Sequence, residues 1–270
     1  MNIDKPAWAW QTPAEEATLG SLLLKLAEAV KPICANEPRL LRLNSPVYVV
    51  GDLHGNLGAL LSMESALWPG GTALCASRIL FLGDYVDRGL HGTELMAYLL
   101  ASKLQRPNSV LMVRGNHETR DIQRMFTFYN ECIFKYGDTE GSRIWNAINN
   151  VFDVLPLAAV VDEKVFCCHG GIPPPWVCPL ISAIDKVPVP LIRPAEQSSI
   201  AWELLWNDPI KPNKLTATIQ LELSANEGFA ANARRGTGHV FDQTALDRFL
   251  LANQLSHVVR AHELQQNGFM

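Results

Sequence analysis

The first half of the chain alternates short apolar runs with helical patterns. Apolar runs at residues 47–50, 79–82 and 110–113 predict strands. Residues 56–67 and 92–104, which lie between these runs, predict helices. A β-α-β-α-β order is typical of parallel strands that are joined by crossover helices.

An amphipathic helix is predicted ahead of the first of these strands. Its start has the residues of a capping box, with Thr12 as N-cap, Pro13 in the first turn and Glu15 able to return the bond. Apolar residues then occur at helical spacing: Leu19, Leu22, Leu23, Leu26 and Val30. We expect Pro32 to close this helix, and we expect the helix to pack on the domain behind it. Residues 1–34 would then form a helical segment ahead of one domain, residues 35–270.

The second half of the chain gives weaker patterns. Residues 121–150 are predicted to be largely helical, and the runs 157–161 and 165–168 predict a hairpin. Residues 257–259 predict a last, buried strand. The proline-rich segment 172–194 and the segment 209–228 are predicted to be loops, with an ambiguous pattern at 215–223 inside the second.

Polar residues with ligand chemistry directly follow five of the predicted strands. The segments are 51–56 (GDLHGN), 83–89 (GDYVDRG), 114–118 (RGNHE), 169–171 (HGG) and 260–263 (RAHE). In parallel α/β sheets, ligands bind beyond the carboxyl ends of the strands, so we expect these segments to converge on one site. One such segment alone could be ordinary turn chemistry, but the occurrence of five in this order is not explained by turns.

The residue types in these segments indicate a metal site. Carboxylate and imidazole ligands suit manganese, iron or zinc better than calcium. Two metal ions about 3.5–4 Å apart need a carboxylate that bridges them. Asp52 and Asp84 are the candidates for that role, because each comes directly after the end of a strand.

Other histidines and the cysteines are not expected to take part in chemistry. His91, His239 and His257 lack a comparable context, and we expect surface or core positions for them. Cys167 and Cys168 precede His169, but adjacent strand residues point to opposite faces, so we expect one of these thiols to lie in the core.

Composition and charge narrow the classes of function. The chain has 270 residues, a net charge of −4 and six cysteines, a balance that does not favour nucleic acid as the main partner. No apolar run reaches the roughly 18 residues of a membrane-spanning helix, and the first residues lack the pattern of a signal peptide. We therefore expect reduced thiols and a cytoplasmic or nuclear location, with no membrane partner.

The polar segments taken together resemble the PPP family of serine/threonine protein phosphatases. The resemblance is carried by 51–55, 83–89, 114–118, 161–171, 206–209 (WNDP), 234–236 (RRG) and 260–263. The last segment is similar to calcineurin-like members, and the run DYVDRG differs from the dinucleotide phosphatases of the wider metallophosphoesterase superfamily. The resemblance covers residues 35–270. It implies an α/β (α+β) fold in which a central β-sandwich is flanked by helices.

The resemblance also implies a set of metal ligands. Asp52 and His54 would bind the first of two metal ions, and Asp84 would bridge both. The second ion would be bound by three further residues: Asn116, His169 and His262. The ions implied are Mn²⁺, or iron and zinc.

The remaining roles that the resemblance implies concern the phosphate and the leaving group. His117 would be the general acid, oriented by Asp87, because a serine or threonine alkoxide needs a proton as it leaves. Arg88 and Arg235 would clamp the phosphate with planar pairs of donors. Arg234 is the adjacent alternative to Arg235.

Two features depart from the family pattern. The chain ends eight residues after His262, where the resemblance implies further strands and a tyrosine-bearing loop. We expect unpaired sheet edges and a lower stability, or dependence on a partner. The stretch between Trp206 and Arg235 is longer than the pattern implies, and we expect a surface insertion at 209–228.

Three functions are compatible with this sequence. The first is a serine/threonine protein phosphatase that hydrolyses phosphoserine and phosphothreonine by direct attack of a hydroxide bridging two metals, with phosphoproteins as substrates and regulatory subunits as candidate partners. The second is a truncated, phosphatase-like binding module with little turnover. The third is a phosphoesterase of the same superfamily that acts on small molecules or dinucleotides.

Overall fold

The computed structural model describes residues 13–266 and residue 268. In chain order its helices are α1 Pro13–Ala35, α2 Leu57–Leu67, α3 Gly71–Leu74, α4 Gly92–Gln105, α5 Arg120–Met125, α6 Phe128–Phe152, α7 Pro194–Gln197, α8 Ser199–Trp206, α9 Ala217–Ala225 and α10 Gln243–Asn253. Its strands are β1 Leu40–Leu43, β2 Val47–Val50, β3 Arg78–Phe81, β4 Val110–Met112, β5 Ala158–Val161, β6 Val165–Cys168, β7 Asp208–Pro209, β8 Phe229–Ala231, β9 His239–Phe241 and β10 His257–Arg260. Short 3₁₀ helices cover Ile181–Lys186 and Pro212–Lys214.

Strands β2, β3 and β4 form one parallel sheet in that order, joined by helices. Val47 lies opposite Arg78, and Ile79 lies opposite Val110. The predicted β-α-β-α-β unit is therefore confirmed, and its element bounds differ from the prediction by one residue. The three strands place their carboxyl ends at one edge of this sheet.

A second sheet has the order β1-β5-β6-β10. Strands β5 and β6 are antiparallel and form the predicted hairpin, while β1 runs parallel to β5 and β10 runs parallel to β6. Asp162 and Glu163 in the hairpin turn have φ angles of 51° and 53°. Such left-handed conformations are typical of tight turns between antiparallel strands.

The two sheets pack face to face as a β-sandwich. Successive side chains of a strand point to opposite faces, and each sheet sends alternate residues into one shared cluster. That cluster consists of Leu41, Leu43, Leu80, Leu82, Leu111, Val113, Ala159, Val161 and Cys167. The sandwich implied by the family resemblance is therefore present, and its interior is a core in its own right.

Helices cover the outer faces of both sheets. Ile79 and Phe81 of β3 face a large cluster that they share with α1, α2, α4 and α6. On the other side, Val160 and Phe166 face a cluster that contains residues of α8 and α10. Cys167 points into the sandwich and Cys168 into this outer core. The two thiols point to opposite faces, as expected, and both faces are buried.

Helix α1 packs through the predicted stripe, with Leu19, Leu23 and Val30 in the same cluster as α4 and α6. We expected it to end at Pro32, but it continues to Ala35. Pro32 has no N–H to donate to the carbonyl of Glu28, four residues earlier, and Glu28 is exposed. Cys34 is fully buried and packs the last turn against the core. Thr12 and the side chain of Glu15 lie outside the described residues. The division into 1–34 and 35–270 stays a prediction.

Two other expectations about the second half were wrong. Strand β10 is not buried, since Val259 is 37% exposed; among the described strands it pairs with β6 alone and is an edge strand. The segment 209–228 is not only loop, because it contains α9, whose start is capped by the Thr216 hydroxyl. Helix α9 covers a third sheet of order β7-β9-β8, which the sequence pattern did not reveal because its strands have two or three residues.

The sandwich interior should dominate the stability of the domain. Leu80 is fully buried between the sheets, so Leu80→Ala should lower the free energy of unfolding by about 2–5 kcal/mol. Leu221→Ala, at a side chain that is 73% exposed, is the matched control and should change it by less than about 0.5 kcal/mol. Urea denaturation of both variants measures the difference. Equal effects would contradict the assignment of this core.

Candidate metal and phosphate site

The five polar segments converge at the carboxyl ends of β2, β3, β4, β6 and β10. Asp84 is central, because its Oδ1 lies 3.3 Å from His169 Nε2 and its Oδ2 lies 3.5 Å from His54 Nε2. The Asp84 carboxylate is 2% exposed and therefore stands between two imidazoles in a buried place. This is the position that a bridging carboxylate needs.

Asp52 lies beside both of these histidines. Its Oδ2 is 3.9 Å from His54 Nε2, and its Oδ1 is 3.8 Å from His169 Nδ1. The Asp52 carboxylate also accepts the backbone N–H of His262 at 3.0 Å, which ties the end of β10 to the end of β2. Asp84 contacts more of the imidazoles than Asp52 and fits the bridging position better.

Backbone carbonyls set the tautomers of two histidines. Nδ1 of His54 lies 2.9 Å from the Val86 carbonyl, and Nδ1 of His169 lies 2.9 Å from the Leu82 carbonyl. A carbonyl only accepts, so both Nδ1 atoms must donate. The Nε2 lone pairs are then left to face the carboxylates, which is the arrangement that metal-binding histidines commonly have.

The donor set around His169 fits a cation. Its Nε2 lies 2.9 Å from Asn116 Oδ1 and 3.0 Å from His262 Nδ1, in addition to its contact with Asp84. Lone pairs that converge in this way repel one another unless a positive charge lies between them. His262 Nε2 is buried and has no hydrogen-bond partner among the described residues. The side chains present therefore fit metal ions.

The pKa values of these groups also indicate that the cluster of carboxylates and imidazoles favours a positive charge. Burial alone would lower the pKa of His169, but the charges of Asp84 and Asp52 raise it to about 9. Burial and the charge of His169 lower the pKa of His262 to about 2. Burial would raise the pKa of Asp84, but His169, His117 and His54 together lower it below its ordinary value. Without a metal ion, a proton on His169 balances the buried carboxylate.

His117 and Asp87 form a buried pair next to this cluster. His117 Nδ1 lies 2.7 Å from Asp87 Oδ2, and His117 Nε2 lies 4.0 Å from Asp84 Oδ2. Burial lowers the pKa of His117, but the hydrogen bond to Asp87 and the charges of Asp84 and Asp87 raise it above its ordinary value. By distance alone His54, Asp84 and His117 could also hold a metal ion. His117 differs from His54 and His169 because its Nδ1 faces a carboxylate, whereas theirs face backbone carbonyls. Its Nε2 also lies farther from Asp84 than theirs. This geometry favours an acid over a ligand.

The Asp87 carboxylate is held by the start of α6. Its Oδ1 accepts the backbone N–H groups of Thr127 at 3.1 Å and of Phe128 at 2.7 Å. The N-terminus of a long helix favours a negative charge, so this contact stabilises Asp87 as a carboxylate. Asp87 in turn favours the imidazolium form of His117.

The predicted phosphate arginines have different surroundings. Arg88 is next to Asp87 in the chain, is exposed, and lies with its guanidinium 5.4 Å from the centre of the Phe126 ring. Arg235 donates from Nε and Nη2 to Asp208 at 2.9 and 3.3 Å, and from Nη2 to the His262 carbonyl at 3.1 Å. Arg234 is more exposed and bridges Asp208 and Glu263 at 2.8 and 2.9 Å. Both arginines therefore contact the segment after β10, and Arg235 contacts the His262 carbonyl.

Asp208 accepts hydrogen bonds from other residues near Arg235. It also accepts from Arg260 Nη2 at 2.7 Å and from Asn232 Nδ2 at 3.0 Å. Burial raises the pKa of Asp208, but the hydrogen bond from Arg235 and the charge of Arg260 lower it far below its ordinary value. Because Asp208 occupies Nε and Nη2 of Arg235, that guanidinium does not present a free two-pronged face, contrary to our expectation.

Glu118 was not assigned a role from the sequence, although it is the residue directly after His117. Its fully buried carboxylate accepts the backbone N–H groups of Asp84 at 2.7 Å, Tyr85 at 2.9 Å and Gly115 at 2.9 Å. These bonds join the loop after β3 to the loop after β4. Burial and the charge of Asp84 raise the pKa of Glu118 to about 7.

The site concentrates backbone strain. Several of its residues have φ in the left-handed region, which costs a non-glycine residue about 1–3 kcal/mol. They are His54 (43°), Asp84 (52°), Asp87 (68°), Arg88 (67°) and His262 (70°). Side-chain oxygens hold parts of this backbone in place: Glu118 accepts the N–H of Asp84, Asp52 accepts the N–H of His262, and Thr127 accepts the N–H of Arg88.

Comparison with known proteins identifies the family. The model of the calcineurin-like phosphoesterase family matches residues 45–266. The chain is 32% identical over 255 residues to the serine/threonine-protein phosphatase PP2A-like PPG1 of Saccharomyces cerevisiae, over 94% of this chain and 64% of that protein. It is 38% identical over 247 residues to the serine/threonine-protein phosphatase BSL2 of Arabidopsis thaliana, over 90% of this chain and 23% of that protein.

A solved structure extends the comparison to the fold. A serine/threonine phosphatase from Saccharomyces cerevisiae with similarity to human phosphatase PP5 matches 93% of this chain and 71% of its own, with a TM-score of 0.74 and 26% identity. The chain therefore belongs to the calcineurin-like phosphoesterase family, in its PPP branch. It spans less than two thirds of the length of the two relatives above.

The site predicts binding of two metal ions that share Asp84. After loading with Mn²⁺ and removal of excess metal, the wild-type chain should retain about two ions. Asp84→Asn should lose at least one of them, because it removes the charge that both imidazole clusters face. His257→Gln, at an exposed histidine outside the site, is the matched control and should bind as the wild type does. Elemental analysis measures the content, and wild-type stoichiometry in Asp84→Asn would contradict the assignment.

Proposed function

We propose that this chain is the catalytic domain of a serine/threonine protein phosphatase that hydrolyses phosphoserine and phosphothreonine. The observation that carries the proposal is the buried His117–Asp87 pair beside a cluster of carboxylates and imidazoles. Membership of the PPP branch and the names of the relatives support it. Such a site places a proton donor next to residues that fit metal ions.

The residues that would hold the two metal ions form two sets, and Asp84 belongs to both. Asp52, His54 and Asp84 would hold the first ion. Asp84 would also face the second, together with three residues: Asn116, His169 and His262. This donor set suits Mn²⁺, or iron and zinc. When bound, two such ions lower the pKa of a shared water and neutralise charge on the phosphate oxygens.

Arg88 and Arg235 would bind the phosphate from two sides. The exposed guanidinium of Arg88 is open to a two-pronged contact with phosphate oxygens. Asp208 holds Nε and Nη2 of Arg235, so that Arg235 would contribute its remaining Nη1 donors. Its contact with the His262 carbonyl and its lower exposure, 19% against 57% for Arg234, favour Arg235 as the second phosphate ligand.

His117 would supply the proton to the leaving group. Asp87 holds the Nδ1–H of His117. Burial lowers the pKa of His117, but the hydrogen bond to Asp87 and the charges of Asp84 and Asp87 raise it above its ordinary value, which favours the protonated form. The Nε2–H would pass to the Oγ of the departing serine or threonine. No protein nucleophile is needed. Cys34, Cys167 and Cys168 are buried, and burial raises the pKa of each thiol to about 12, which makes them poor nucleophiles.

We propose that the substrates are phosphoproteins and that the partners are regulatory subunits. We also propose that the protein is located in the cytoplasm or the nucleus. The described cysteines are all free and buried, in keeping with a reducing compartment. None of the described helices combines the length and apolarity needed to cross a bilayer.

Substrate competition tests the proposed function. Mn²⁺-loaded protein should hydrolyse phosphoserine and phosphothreonine peptides faster than diadenosine tetraphosphate. His117→Asn should lower kcat about 10²- to 10⁴-fold, because it removes the acid, while His257→Asn should not. Faster hydrolysis of the dinucleotide would favour a small-molecule phosphoesterase. A folded, metal-loaded chain that binds phosphopeptides without turnover would favour a binding module.

The pH dependence tests the role of Asp87. The pKa of His117 is raised in the folded protein, so the acid stays protonated above its ordinary range and kcat falls only when pH rises through the raised value. Asp87→Asn removes the charge that raises this pKa. The basic limb of the kcat profile should therefore move to lower pH in the variant. An unchanged limb, in a variant that melts as the wild type does, would contradict proton donation by His117.

A further inference from the structure

Two residues join α5 to α6 and contact both the proposed proton-donor pair and the proposed phosphate arginine. Phe126 and Thr127 lie between the last residue of α5 and the first of α6. Neither carries a charge or a metal-ligand group, and neither was selected from the sequence. Their contacts nevertheless reach Asp87, Arg88 and His117.

Thr127 uses its amide and its hydroxyl for different neighbours. Its backbone N–H donates to Asp87 Oδ1 at 3.1 Å, and its Oγ1 accepts the backbone N–H of Arg88 at 2.7 Å. Asp87 and Arg88 both have left-handed backbones, with φ of 68° and 67°. Two adjacent residues in that region need external contacts to hold them. Thr127 supplies one to each.

The hydroxyl of Thr127 does not cap α6. Threonine at an N-cap normally accepts an amide of its own helix, but the Thr127 side chain makes no capping bond to α6. The Asp87 carboxylate accepts the first amides of α6 instead. Loss of the Thr127 hydroxyl would therefore leave the helix capped and would affect the Arg88 backbone.

Phe126 contacts the other end of Arg88. The guanidinium carbon lies 5.4 Å from the centre of the Phe126 ring, within the range of a cation–π contact. The same ring meets the His117 ring edge to face, with centroids 4.7 Å apart. Arg88 is thus held at its amide by Thr127 and at its guanidinium by Phe126.

We propose that Phe126 and Thr127 are positioning residues that direct Arg88 toward the phosphate. The proposal rests on the proposed function in taking Arg88 as a phosphate ligand. Thr127 fixes the strained backbone from which the side chain starts, and Phe126 limits where the guanidinium lies. Arginine has many rotamers to lose on binding, so a held guanidinium binds phosphate more tightly than a free one.

Thr127→Val tests the hydroxyl, since valine keeps the shape and removes the acceptor. Calorimetry with inorganic phosphate and Mn²⁺-loaded protein should give a Kd raised about three- to tenfold, the effect of one hydrogen bond. KM for a phosphopeptide should rise in parallel, with kcat less affected. The pH profile of kcat should not move, because Asp87 is bound by the Thr127 main chain. Thr127→Ser keeps the acceptor and should bind phosphate within about twofold of the wild type.

Phe126→Leu tests the ring, since leucine keeps an apolar contact without a π face. It should also raise the Kd for phosphate and, unlike Thr127→Val, shift the pH profile, because the ring contacts His117. Arg88→Ala sets the largest loss of phosphate affinity that either variant could cause. Thermal melting of each variant checks that the domain is folded.

Several outcomes would overturn the proposal. They are wild-type phosphate affinity in Thr127→Val, an equal loss in Thr127→Ser, or a wild-type chain whose phosphate affinity does not depend on Arg88. Phosphate binding is read without turnover, so it separates this proposal from the proposed function. If the wild type hydrolyses no phosphopeptide but Thr127→Val still weakens phosphate binding relative to Thr127→Ser, the positioning role stands and the phosphatase function fails.

Discussion

The site depends on one buried carboxylate, Asp84, held in a strained position at the end of a central strand. Burial makes an unpaired charge costly, so the groups around it must supply positive charge. His54 and His169 face its two oxygens, and Glu118 binds its backbone. Removing the imidazoles would leave a buried charge without compensation. The sandwich behind the strand gives this arrangement a rigid base, because a close-packed core resists small displacements.

A second constraint comes from the start of α6, which links His117 to Arg88. Its first amides bind Asp87, and the residues just ahead of it contact Arg88 and His117. The helix N-terminus therefore stabilises the Asp87 side chain that holds the Nδ1–H of His117. His117 and Arg88, the proposed proton donor and phosphate ligand, therefore share one support at the start of this helix. His117 is also tied to Asp84 through its backbone N–H.

Much of this could be predicted from the sequence, because the ligand residues come directly after apolar strands. A strand-end position identifies Asp52, Asp84 and His169 without knowledge of their neighbours. The contacts of Glu118 and Thr127 could not be predicted, since each is a hydrogen bond to a backbone amide in another loop. The contact of Arg235 with Asp208 was also missed, because it joins two side chains that are 27 positions apart in the chain. The burial of β10 was also misjudged, because its apolar residues do not reveal that it lies at a sheet edge.

The central claim is that five strand ends form a site for two metal ions around Asp84. Anomalous diffraction from crystals grown with Mn²⁺ measures this most directly. The account predicts two anomalous peaks about 3.5–4 Å apart, one on each side of the Asp84 carboxylate, with His117 bound to neither. A single peak, two peaks that do not share Asp84, or coordination by His117 would contradict it.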